Sequence, residues 1–583
     1  MIPFAAGRRA FLVALALAVI CCGPSNAQEG RRGFYTPPAP GTFHAVPGEF
    51  GMVVAQEKLA ARIGADILRQ GGNAVDAAVA TGFALAVTYP RAGNIGGGGF
   101  MVIHSADARE DIAIDYRETA PAATTRDIFL GADGKPDIAK SRDSALGIGV
   151  PGTVAGLALA LEKYGSGKLP LRAVLKPAIE LAAKGMPIAD DSADTLPDWH
   201  RRLAKWPSSA KIFSRADGSS LREGDTLVQS DLAATLTAIL EQGPRGFYEG
   251  PIAEKLVKSI GEAGGIMTLD DLKSYQPVIR APVRGSYRGY DIVSMPQPSS
   301  GGVVLLETLN ILEGFAMREL PQGSAPSLHL MIEAMKRAYA DRARYLGDPA
   351  FVNAPIAALV AKDYAAKQRL GIDLNRATPW TDALPALPPR EGSNTTHFSV
   401  VDSRGNAVSN TTTLNFSYGV GLVAEGTGVL LNNELDDFTA APGASNAYGL
   451  VGFEANLPGS GKRPLSSMAP TIVLKDGKPV LVTGSPGGSR IISAVLQVIV
   501  NVLDYQMDVA AAVAAPRLHH QWLPDEVRIE RGFADDTLAA LKAMGHVIVV
   551  PLGQTSANSI AVTPNGPLGA PDPRTRGAEA AGQ

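Results

Sequence analysis

The chain has almost no cysteine. Its 583 residues include only two, Cys21 and Cys22, and both lie in an apolar segment near the N-terminus. If that segment is removed on export, no thiol remains for a disulfide, a thiolate metal site or a cysteine nucleophile. Mechanisms that depend on cysteine are therefore excluded for the mature chain.

Long apolar runs are also scarce. The run from Ala10 to Ile20 is too short for a membrane-spanning helix, and no later uncharged apolar segment reaches the necessary length of about 20 residues. Arg8 and Arg9 precede this run, and Ser25-Asn26-Ala27 supplies small residues for cleavage, a pattern typical of a secretory signal. We expect a signal peptide over residues 1–27, no membrane span, and a secreted or periplasmic protein exported by the Sec or twin-arginine route.

Positive charge is not in excess. Lysine and arginine together number 54, against 57 aspartates and glutamates. Loss of Arg8 and Arg9 with the signal peptide changes the formal net charge from -3 to -5. This mild acidity predicts that the protein has no nucleic-acid partner.

Signatures of cofactor and metal binding are missing as well. Gly459-Ser460-Gly461-Lys462 lacks the spacing of a phosphate-binding loop, and no His-Glu-x-x-His motif is present. The eight histidines are scattered except for His519-His520, whose side chains would face opposite sides of a strand. We predict no cofactor and no metal, and a structural or hydrogen-bonding role for this pair.

Helical and strand patterns alternate up to about residue 370. They predict an Ala-rich helix over 74–87, a strand at 100–103 after the glycine run 96–99, and an amphipathic helix over 328–345. This mixture predicts an α/β or α+β fold class. Several prolines interrupt residues 374–394, which we expect to form an exposed loop.

A β-hairpin is predicted where this loop ends, with strands at 396–401 and 407–413. Thr395 lies at the junction, where its hydroxyl can attack the preceding peptide carbonyl. Water then releases the ester, and the new α-amine of Thr395, with a pKa of about 7.7 to 8.0, can act as the base for its own hydroxyl. By local sequence alone, however, the pair Thr395-Thr396 is more typical of an ordinary β-strand.

A set of ordered motifs resembles the γ-glutamyltranspeptidase family over essentially the whole mature chain. The motifs are GGNAVD at 71–76, GGGG at 96–99, DYRE at 115–118, TTHFSVVD at 395–402, GNAV at 405–408, TLN at 413–415, LNNELDDF at 431–438, KRPLSSM at 462–468, GSPGGSR at 484–490 and PRLHHQ at 516–521. Together they are far more specific than any one of them.

The resemblance implies a four-layer αββα sandwich of the N-terminal-nucleophile hydrolase type. Residues 28–394 would form a large subunit and residues 395–583 a small catalytic subunit, after self-cleavage between Asn394 and Thr395, and both would share one core. Thr395 would be the nucleophile, and the hydroxyl of Thr413 would keep it oriented.

The resemblance also implies a substrate site for a γ-glutamyl group. Charged hydrogen bonds would hold the two charges of the substrate. The residues implied are Asn415, Glu434 and Asp437 for the α-amino group, and Arg117, Ser466 and Ser467 for the α-carboxylate. Asp436 would be an outward or structural neighbour. Without the family, the acidic run is typical of a solvated turn, and Arg117 of a surface ion pair with Glu118.

Two further parts of the site are expected. Gly487 and Gly488 would bring backbone N–H groups to the oxyanion, because they precede a strongly apolar helix over Ile491–Leu503 whose first N–H groups lack partners. Ser489 is the predicted N-cap of that helix. A lid over 442–456 would close on the substrate, with Tyr448 contacting Asn415; the alternative is a surface tyrosine.

By resemblance, the chain would cleave glutathione and other γ-glutamyl amides and pass the glutamyl group to water, amino acids or peptides. One alternative is a β-lactam (cephalosporin-type) acylase of the same fold, which has less need for the acidic cluster. The other is an uncleaved, inactive relative that binds γ-glutamyl compounds or a partner protein. The intact Thr395, Thr413, Gly487 and Gly488 argue against the inactive relative.

Overall fold

The structure is a computed structural model that describes residues 35–39, 41–380, 395–550 and 555–582. The predicted signal peptide at 1–27 and the junction residue Asn394 lie outside these residues. From Thr36 onward the chain forms one compact unit. Within the described ranges, no helix has both the length and the apolar character needed to cross a membrane.

Two predicted helices are confirmed with nearly the expected bounds, one at residues 74–88 and one at residues 491–503. The α-helices of the described residues are α1 (Lys58–Arg69), α2 (Ala74–Thr88), α3 (Ile138–Arg142), α4 (Thr153–Tyr164), α5 (Leu171–Lys184), α6 (Asp190–Leu203), α7 (Pro207–Phe213), α8 (Ser230–Gln242), α9 (Arg245–Tyr248), α10 (Gly250–Glu262), α11 (Leu269–Ser274), α12 (Gly301–Glu313), α13 (Ala325–Tyr345), α14 (Ile356–Leu359), α15 (Lys362–Leu370), α16 (Ile491–Leu503), α17 (Val509–Ala514) and α18 (Asp535–Ala543).

The strands of the described residues are β1 (Val46–Pro47), β2 (Gly51–Ala55), β3 (Gly98–Ser105), β4 (Glu110–Tyr116), β5 (Met186–Pro187), β6 (Thr226–Leu227), β7 (Val278–Arg280), β8 (Val283–Tyr287), β9 (Tyr290–Ser294), β10 (Thr395–Asp402), β11 (Ala407–Thr413), β12 (Val423–Ala424), β13 (Val429–Leu430), β14 (Thr471–Lys475), β15 (Lys478–Thr483), β16 (Leu518–His519), β17 (Val527–Ile529), β18 (Ile548–Val549), β19 (Ser559–Thr563), β20 (Gly566–Ala570) and β21 (Glu579–Gly582). Most of them form two seven-stranded sheets. Sheet I has the order β21-β2-β10-β11-β3-β4-β7, and sheet II has the order β1-β20-β19-β15-β14-β9-β8. Every pairing within these two sheets is antiparallel.

The two large sheets pack face to face between layers of helices. In β2, Met52 and Val54 share a core with Ile472 of sheet II, whereas Val53 and Ala55 share a core with α1, α2, α4 and α5. This alternation follows from the two-residue period of a strand. Helices α12, α13, α16 and α17 contribute to the first of these cores. On sheet II, α12 packs on β8 and β9, α17 packs on β19 and β20, and α13 and α16 pack on α12. The four-layer αββα architecture is therefore confirmed.

Strands from both sides of residue 394 alternate within each sheet. In sheet I, β10 and β11 lie between β2 and β3. In sheet II, β20, β19, β15 and β14 come from the chain after residue 394, and they lie between β1 on one side and β9 and β8 on the other, which come from the chain before it. The segments before and after the predicted cleavage point therefore build one core together, and neither has a complete sheet of its own.

The predicted β-hairpin is confirmed as β10 and β11, in which Thr395 is paired with Thr413. The carboxylate of Asp402 organises the turn by accepting hydrogen bonds from the backbone N–H groups of Arg404 at 2.9 Å and Asn406 at 3.0 Å. Its second oxygen accepts the N–H of Ala74 at 3.0 Å. The turn is thereby attached to the start of α2.

Thr395 faces the space between the two sheets. Side chains two residues apart lie on the same side of a strand, so Thr395 shares a side with His397 and Ser399. The hydroxyl of Ser399 donates to the carbonyl of Asn558 at 2.9 Å, directly before β19 of sheet II. Thr395, the candidate nucleophile, therefore lies at the first position of β10, with its side chain on the side of sheet I that faces sheet II.

The predicted amphipathic helix is α13, but it is buried on nearly every side. The predicted helix over 328–345 is confirmed, but its polar side chains bind protein backbone in place of water. They hold residues 371–378, and the later part of the predicted loop, 381–394, lies outside the described residues. The bonds are His329 Nε2 with the carbonyl of Asp373 (2.7 Å), Lys336 Nζ to the carbonyl of Thr378 (2.8 Å), Arg337 Nη2 to the carbonyl of Gly371 (2.6 Å), and the N–H of Thr378 to Glu333 Oε1 (3.0 Å).

Gly484, directly after β15, leaves room for the ring of His397. A Cβ on Gly484 would lie only 2.3 Å from His397 Cε1. The ring is held by hydrogen bonds with Thr411 at 2.9 Å and Ser399 at 3.0 Å. Burial lowers the pKa of His397 to about 3, so its imidazole is neutral at physiological pH. Close approach of β15 to β10 therefore requires a glycine here.

We expect Gly484→Ala to lower the free energy of unfolding by about 1 to 3 kcal/mol, because the ring of His397 has to move. Urea unfolding measures this change. Gly261→Ala is the matched control: Gly261 is exposed in α10, and a Cβ added there would meet no atom within 4 Å, so alanine should raise stability by up to about 1 kcal/mol. A Gly484→Ala chain as stable as the wild type would contradict the close packing.

Glu118, two residues after β4, carries a buried carboxyl group without a hydrogen-bond partner among the described residues. It packs against β3, since a Cβ on Gly98 would lie 2.5 Å from Glu118 Oε2. Burial raises the pKa of Glu118 to about 8, against the opposing charge of Arg117. The folded protein therefore holds a proton here at neutral pH.

This buried proton predicts a pH dependence of stability. Between about pH 5 and pH 8 the folded state binds a proton at Glu118 that the unfolded state has lost, so the free energy of unfolding should fall as the pH rises through that window. The free energy of unfolding of Glu118→Gln should fall less over the same pH window. Urea unfolding of both proteins at pH 5, 6.5 and 8 measures the difference between the two slopes, and equal slopes would contradict the buried proton.

Candidate active site

A small cavity lies at the start of β10. The sequence-predicted site residues within the described chain all line it except Gly487, which directly precedes the lining residue Gly488. Asn394 lies outside the described residues. The lining residues are Arg117, Thr395, Thr413, Asn415, Glu434, Asp437, Tyr448, Ser466, Ser467, Met468, Gly488 and Ile491.

Thr395 and Thr413 lie side by side because they are register partners in β10 and β11. The hydroxyl of Thr395 is 3.3 Å from that of Thr413. The N–H of Asn415 donates to the same Thr413 oxygen at 2.9 Å, and Asn94 Nδ2 donates to the carbonyl of Thr413 at 2.9 Å. Thr413 is therefore held from several sides, and it fixes the position of the Thr395 hydroxyl.

Arg117 is the centre of a buried charge cluster. Its guanidinium donates to Glu434, to Asp437 at 2.5 Å, and to the carbonyl of Pro464 at 3.1 Å. The expectation of a surface ion pair with Glu118 is wrong, because Arg117 is fully buried and its partners come from the acidic run. The expectation of a solvated acidic turn is wrong for the same reason.

The cluster contains two carboxyl groups and one guanidinium. Burial opposes the charge of Arg117, but the carboxylates of Glu434 and Asp437 outweigh it and raise the pKa of Arg117. Burial raises the pKa of Glu434 well above its usual range, although Arg117 opposes this effect. Glu434 Oε2 is buried and has no hydrogen-bond partner among the described residues. Glu434 Oε2 is therefore available to a ligand, and a bound cation would favour the charged form of this carboxyl group.

Asn415 and Tyr448 meet at one side of the cavity. Asn415 has a left-handed backbone, with φ of 69°, and its Nδ2 donates to the carbonyl of Asn433 at 2.9 Å. The hydroxyl of Tyr448 lies 2.9 Å from both Asn415 Oδ1 and the Asn415 carbonyl oxygen. Tyr448 is buried, so its interpretation as a surface residue is wrong.

The segment that carries Tyr448 is attached to the acidic run. Asn446 Nδ2 donates to Asp437 Oδ1 at 3.1 Å, and the N–H of Ala447 donates to Asp436 Oδ2 at 3.2 Å. Asp436 is buried and also accepts a hydrogen bond from Ser141 at 2.5 Å. Of its two expected roles, the structural one is observed and the outward one is wrong.

Gly487 and Gly488 both adopt positive φ values, 133° and 59°. A short 3₁₀ turn, Gly488–Arg490, continues into α16, and the N-cap position is Arg490. The predicted capping by Ser489 is therefore wrong, because the turn carries the helical path back to the glycines. A Cβ on Gly488 would lie 2.3 Å from Tyr448 Cδ1, so glycine is required beneath that ring.

Ser466 and Ser467 also line the cavity. The N–H of Met468 donates to Ser466 Oγ at 3.1 Å. Arg342 Nη2 donates to Ser467 Oγ at 3.3 Å. Sequence reasoning missed Arg342, since it lies more than a hundred residues away in α13, and the pattern there indicated only a helix.

Histidines occur in buried hydrogen-bond networks. His519 bonds with Ser493 and Gln521, and His520 with Asp525, which confirms the hydrogen-bonding interpretation of that pair. The residues of the described chain with metal-ligand geometry are His329, Glu333 and His546, whose donor atoms lie within 4.8 Å of one another. Their contacts are accounted for by a 2.8 Å bond between the two imidazoles and by the bonds that hold residues 371–378.

Known proteins with similar sequences extend over nearly the whole chain. The family model described as gamma-glutamyltranspeptidase matches residues 60–582. The chain is 50% identical to a glutathione hydrolase proenzyme of Escherichia coli K12, over 97% of this chain and 98% of that protein. It is 39% identical to an acylase ACY 1 proenzyme of Pseudomonas sp. V22, over 89% and 91% of the two chains.

Solved structures agree with the fold. The crystal structure of a cephalosporin acylase from Bacillus halodurans superposes with a TM-score of 0.80 at 29% identity, and covers 95% of this chain and 99% of that one. The match of the family model over nearly the whole chain, together with 50% identity to a full-length relative, shows that the chain belongs to the γ-glutamyltranspeptidase family.

Proposed function

We propose that the chain cleaves glutathione and other γ-glutamyl amides through a γ-glutamyl ester on Thr395, and passes the glutamyl group to water or to the amine of an amino acid or peptide. The observation that carries this proposal is the buried pairing of Arg117 with Glu434 and Asp437 beside the hydroxyl of Thr395. Few ligands carry a positive and a negative charge close enough together to bind to such a pair of opposite charges.

The free α-amino acid end of a γ-glutamyl group is such a ligand. Its ammonium and carboxylate groups are attached to the same carbon, so they need anionic and cationic partners that are already in contact. We assign the ammonium to Asn415, Glu434 and Asp437, where Glu434 Oε2 is an unused acceptor among the described residues. The substrate supplies the second positive charge that two carboxylates need in a buried site.

The α-carboxylate is assigned to Arg117 together with the hydroxyls of Ser466 and Ser467. An arginine fork matches a carboxylate geometrically, and a charged hydrogen bond is about twice as strong as a neutral one. Because the γ-carbonyl is several bonds from these charges, binding of the head group fixes the reacting carbon near Thr395. This positioning converts binding energy into rate.

Activation is proposed to begin with self-cleavage. The Thr395 hydroxyl oxygen attacks the carbonyl carbon of Asn394, the peptide nitrogen leaves and takes up a proton, and an ester forms. Water then hydrolyses the ester, which gives a carboxylate at Asn394 and a free amine at Thr395. The products are a large subunit of residues 28–394 and a small subunit of residues 395–583, which remain together because they share both sheets.

Turnover uses the same hydroxyl together with the α-amine that self-cleavage releases at Thr395. The α-amine of Thr395 has a reference pKa of about 7.7 to 8.0, so it can accept the hydroxyl proton near neutral pH. The N–H groups at Gly487 and Gly488 are proposed to stabilise the oxyanion, and such a donor typically contributes about 10²- to 10³-fold in rate. Tyr448 covers the bound group as part of the 442–456 lid.

The second candidate is a β-lactam acylase, which the likeness to the cephalosporin acylase structure supports. A glutaryl group differs from a γ-glutamyl group only by the missing α-amine. An acylase for that group has no cation to place beside Glu434 and Asp437. These two carboxyl groups, one buried and one partly buried, therefore favour the γ-glutamyl donor.

The site of action is proposed to be outside the cytoplasm, either secreted or periplasmic. The support is the pattern of residues 1–27, with Arg8 and Arg9 before a short apolar run. The Sec and twin-arginine routes both fit this pattern.

Thr395→Ala is expected to remain one uncut chain without γ-glutamyl anilide hydrolysis, because both reactions use the same hydroxyl. Denaturing gels and N-terminal sequencing should show two wild-type chains, the smaller starting at Thr395. Thr396→Ala is the matched control, since the Thr396 side chain faces the other side of the strand, and it should still be cut before residue 395. Cleavage of Thr395→Ala at the same bond would contradict the mechanism.

Asp437→Asn is expected to reduce kcat/KM for a γ-glutamyl anilide by about 10- to 100-fold, because the amine loses a charged partner. Glutaryl anilide, which lacks only that amine, is the control substrate and should change far less. Steady-state kinetics with the two substrates measures the ratio. A wild type that prefers the glutaryl compound would replace the proposal with the acylase function.

A further inference from the structure

Arg342 lies behind the two serines of the proposed carboxylate site. It is buried in α13, with 4% of its surface exposed. Its Nη2 donates to Ser467 Oγ at 3.3 Å, and its Nε donates to Ser300 Oγ at 2.9 Å. Within the described residues, both hydrogen bonds of this guanidinium thus go to hydroxyl groups, and none goes to a carboxylate.

Ser300 connects Arg342 to the other serine. The hydroxyl of Ser300 donates to the carbonyl of Ser466 at 2.6 Å, and its backbone N–H donates to the same oxygen at 2.8 Å. The N–H of Ser466 donates in turn to the carbonyl of Pro298 at 2.9 Å. Arg342 is therefore linked to Ser467 through the hydroxyl of that serine and to Ser466 through its backbone.

The direction of these bonds determines where the hydroxyl hydrogens point. A serine hydroxyl has one hydrogen to donate and two lone pairs, whereas a guanidinium only donates. Ser467 Oγ therefore accepts from Arg342, and its own hydrogen remains for the cavity that Ser467 lines. The N–H of Met468 has the same effect on Ser466. A carboxylate, which only accepts, is the complementary ligand.

We propose that Arg342 is a positioning residue for the α-carboxylate of the donor: it holds the Ser466-Ser467 pair and leaves the Ser467 hydroxyl to donate to that carboxylate. This inference rests on the proposed γ-glutamyl function. Among the described residues, the guanidinium of Arg342 forms no ion pair with a carboxylate, so its positive charge adds to the attraction for the substrate anion.

The test compares a γ-glutamyl anilide with its α-carboxamide, which has lost the anionic carboxylate. The readout is the ratio of kcat/KM for the two donors, measured on protein whose self-cleavage has been verified on gels. For Arg342→Met we expect this ratio to fall by about 10- to 100-fold, mainly through KM of the anilide. Arg342→Lys keeps the charge without the fork and should recover part of the loss.

Two further variants separate positioning from general structural damage. In the double variant Arg342→Met/Ser467→Ala, the loss in this ratio should be clearly smaller than the sum of the losses in the two single variants, because the arginine acts in part through that hydroxyl. Arg344→Met is the matched control: Arg344 is exposed in the same helix, near the rings of Trp380 and Trp522, and its ratio should equal that of the wild type. If Arg342→Met does not fold, Arg342→Lys takes its place in the same comparison.

A fall in kcat/KM that is equal for both donors would overturn the inference and leave Arg342 a structural residue. Additive effects in the double variant would overturn it as well. Failure of the proposed function gives a different result, in which the cleaved wild type turns over neither donor.

Discussion

The site depends on the pairing of β10 with β11. Thr395 is the first residue of β10, and its register with Thr413 places the two hydroxyls together. Because β10 also pairs with β2, it is held by backbone hydrogen bonds on both edges. A slip of one residue would turn Thr395 away from the space between the sheets. The position of the Thr395 hydroxyl is therefore a property of sheet I as a whole, to which chain from both sides of residue 394 contributes.

The second constraint is electrostatic. The buried carboxyl group of Glu434 and the partly buried one of Asp437 share Arg117. Loss of hydration on burial raises the pKa of Glu434, and the neighbouring carboxylates of Glu118 and Asp437 add to this effect. Burial of such charges destabilises the folded protein unless each charge is paired and hydrogen-bonded. The proposed ligand completes the cluster by bringing a cation and an anion of its own. The same acidic run holds the segment of Tyr448 through Asp437 and Asn446, so the proposed recognition of the substrate and the proposed lid use common side chains.

Local patterns predicted the parts of the fold that depend on neighbouring residues. The hairpin, the helix over 491–503 and the buried helix at 74–88 follow from periodicity and turn chemistry. Features that depend on distant segments were missed: the burial of α13, the pairing of Arg117 with the acidic run, and the contact of Arg342 with Ser467. The composition of the candidate site came from ordered motifs that resemble a family. The pairing of charges in the site and the directions of its hydrogen bonds could be seen only in the three-dimensional structure.

The central claim is that Thr395 carries the γ-glutamyl group during turnover. The most direct measurement is acid quenching of the enzyme at work on a γ-glutamyl anilide, followed by peptide mass spectrometry. The account predicts one γ-glutamyl group, as an ester, on the peptide that begins with Thr395. A γ-glutamyl group on another residue, or steady turnover with that peptide unmodified under conditions where the ester accumulates, would contradict it.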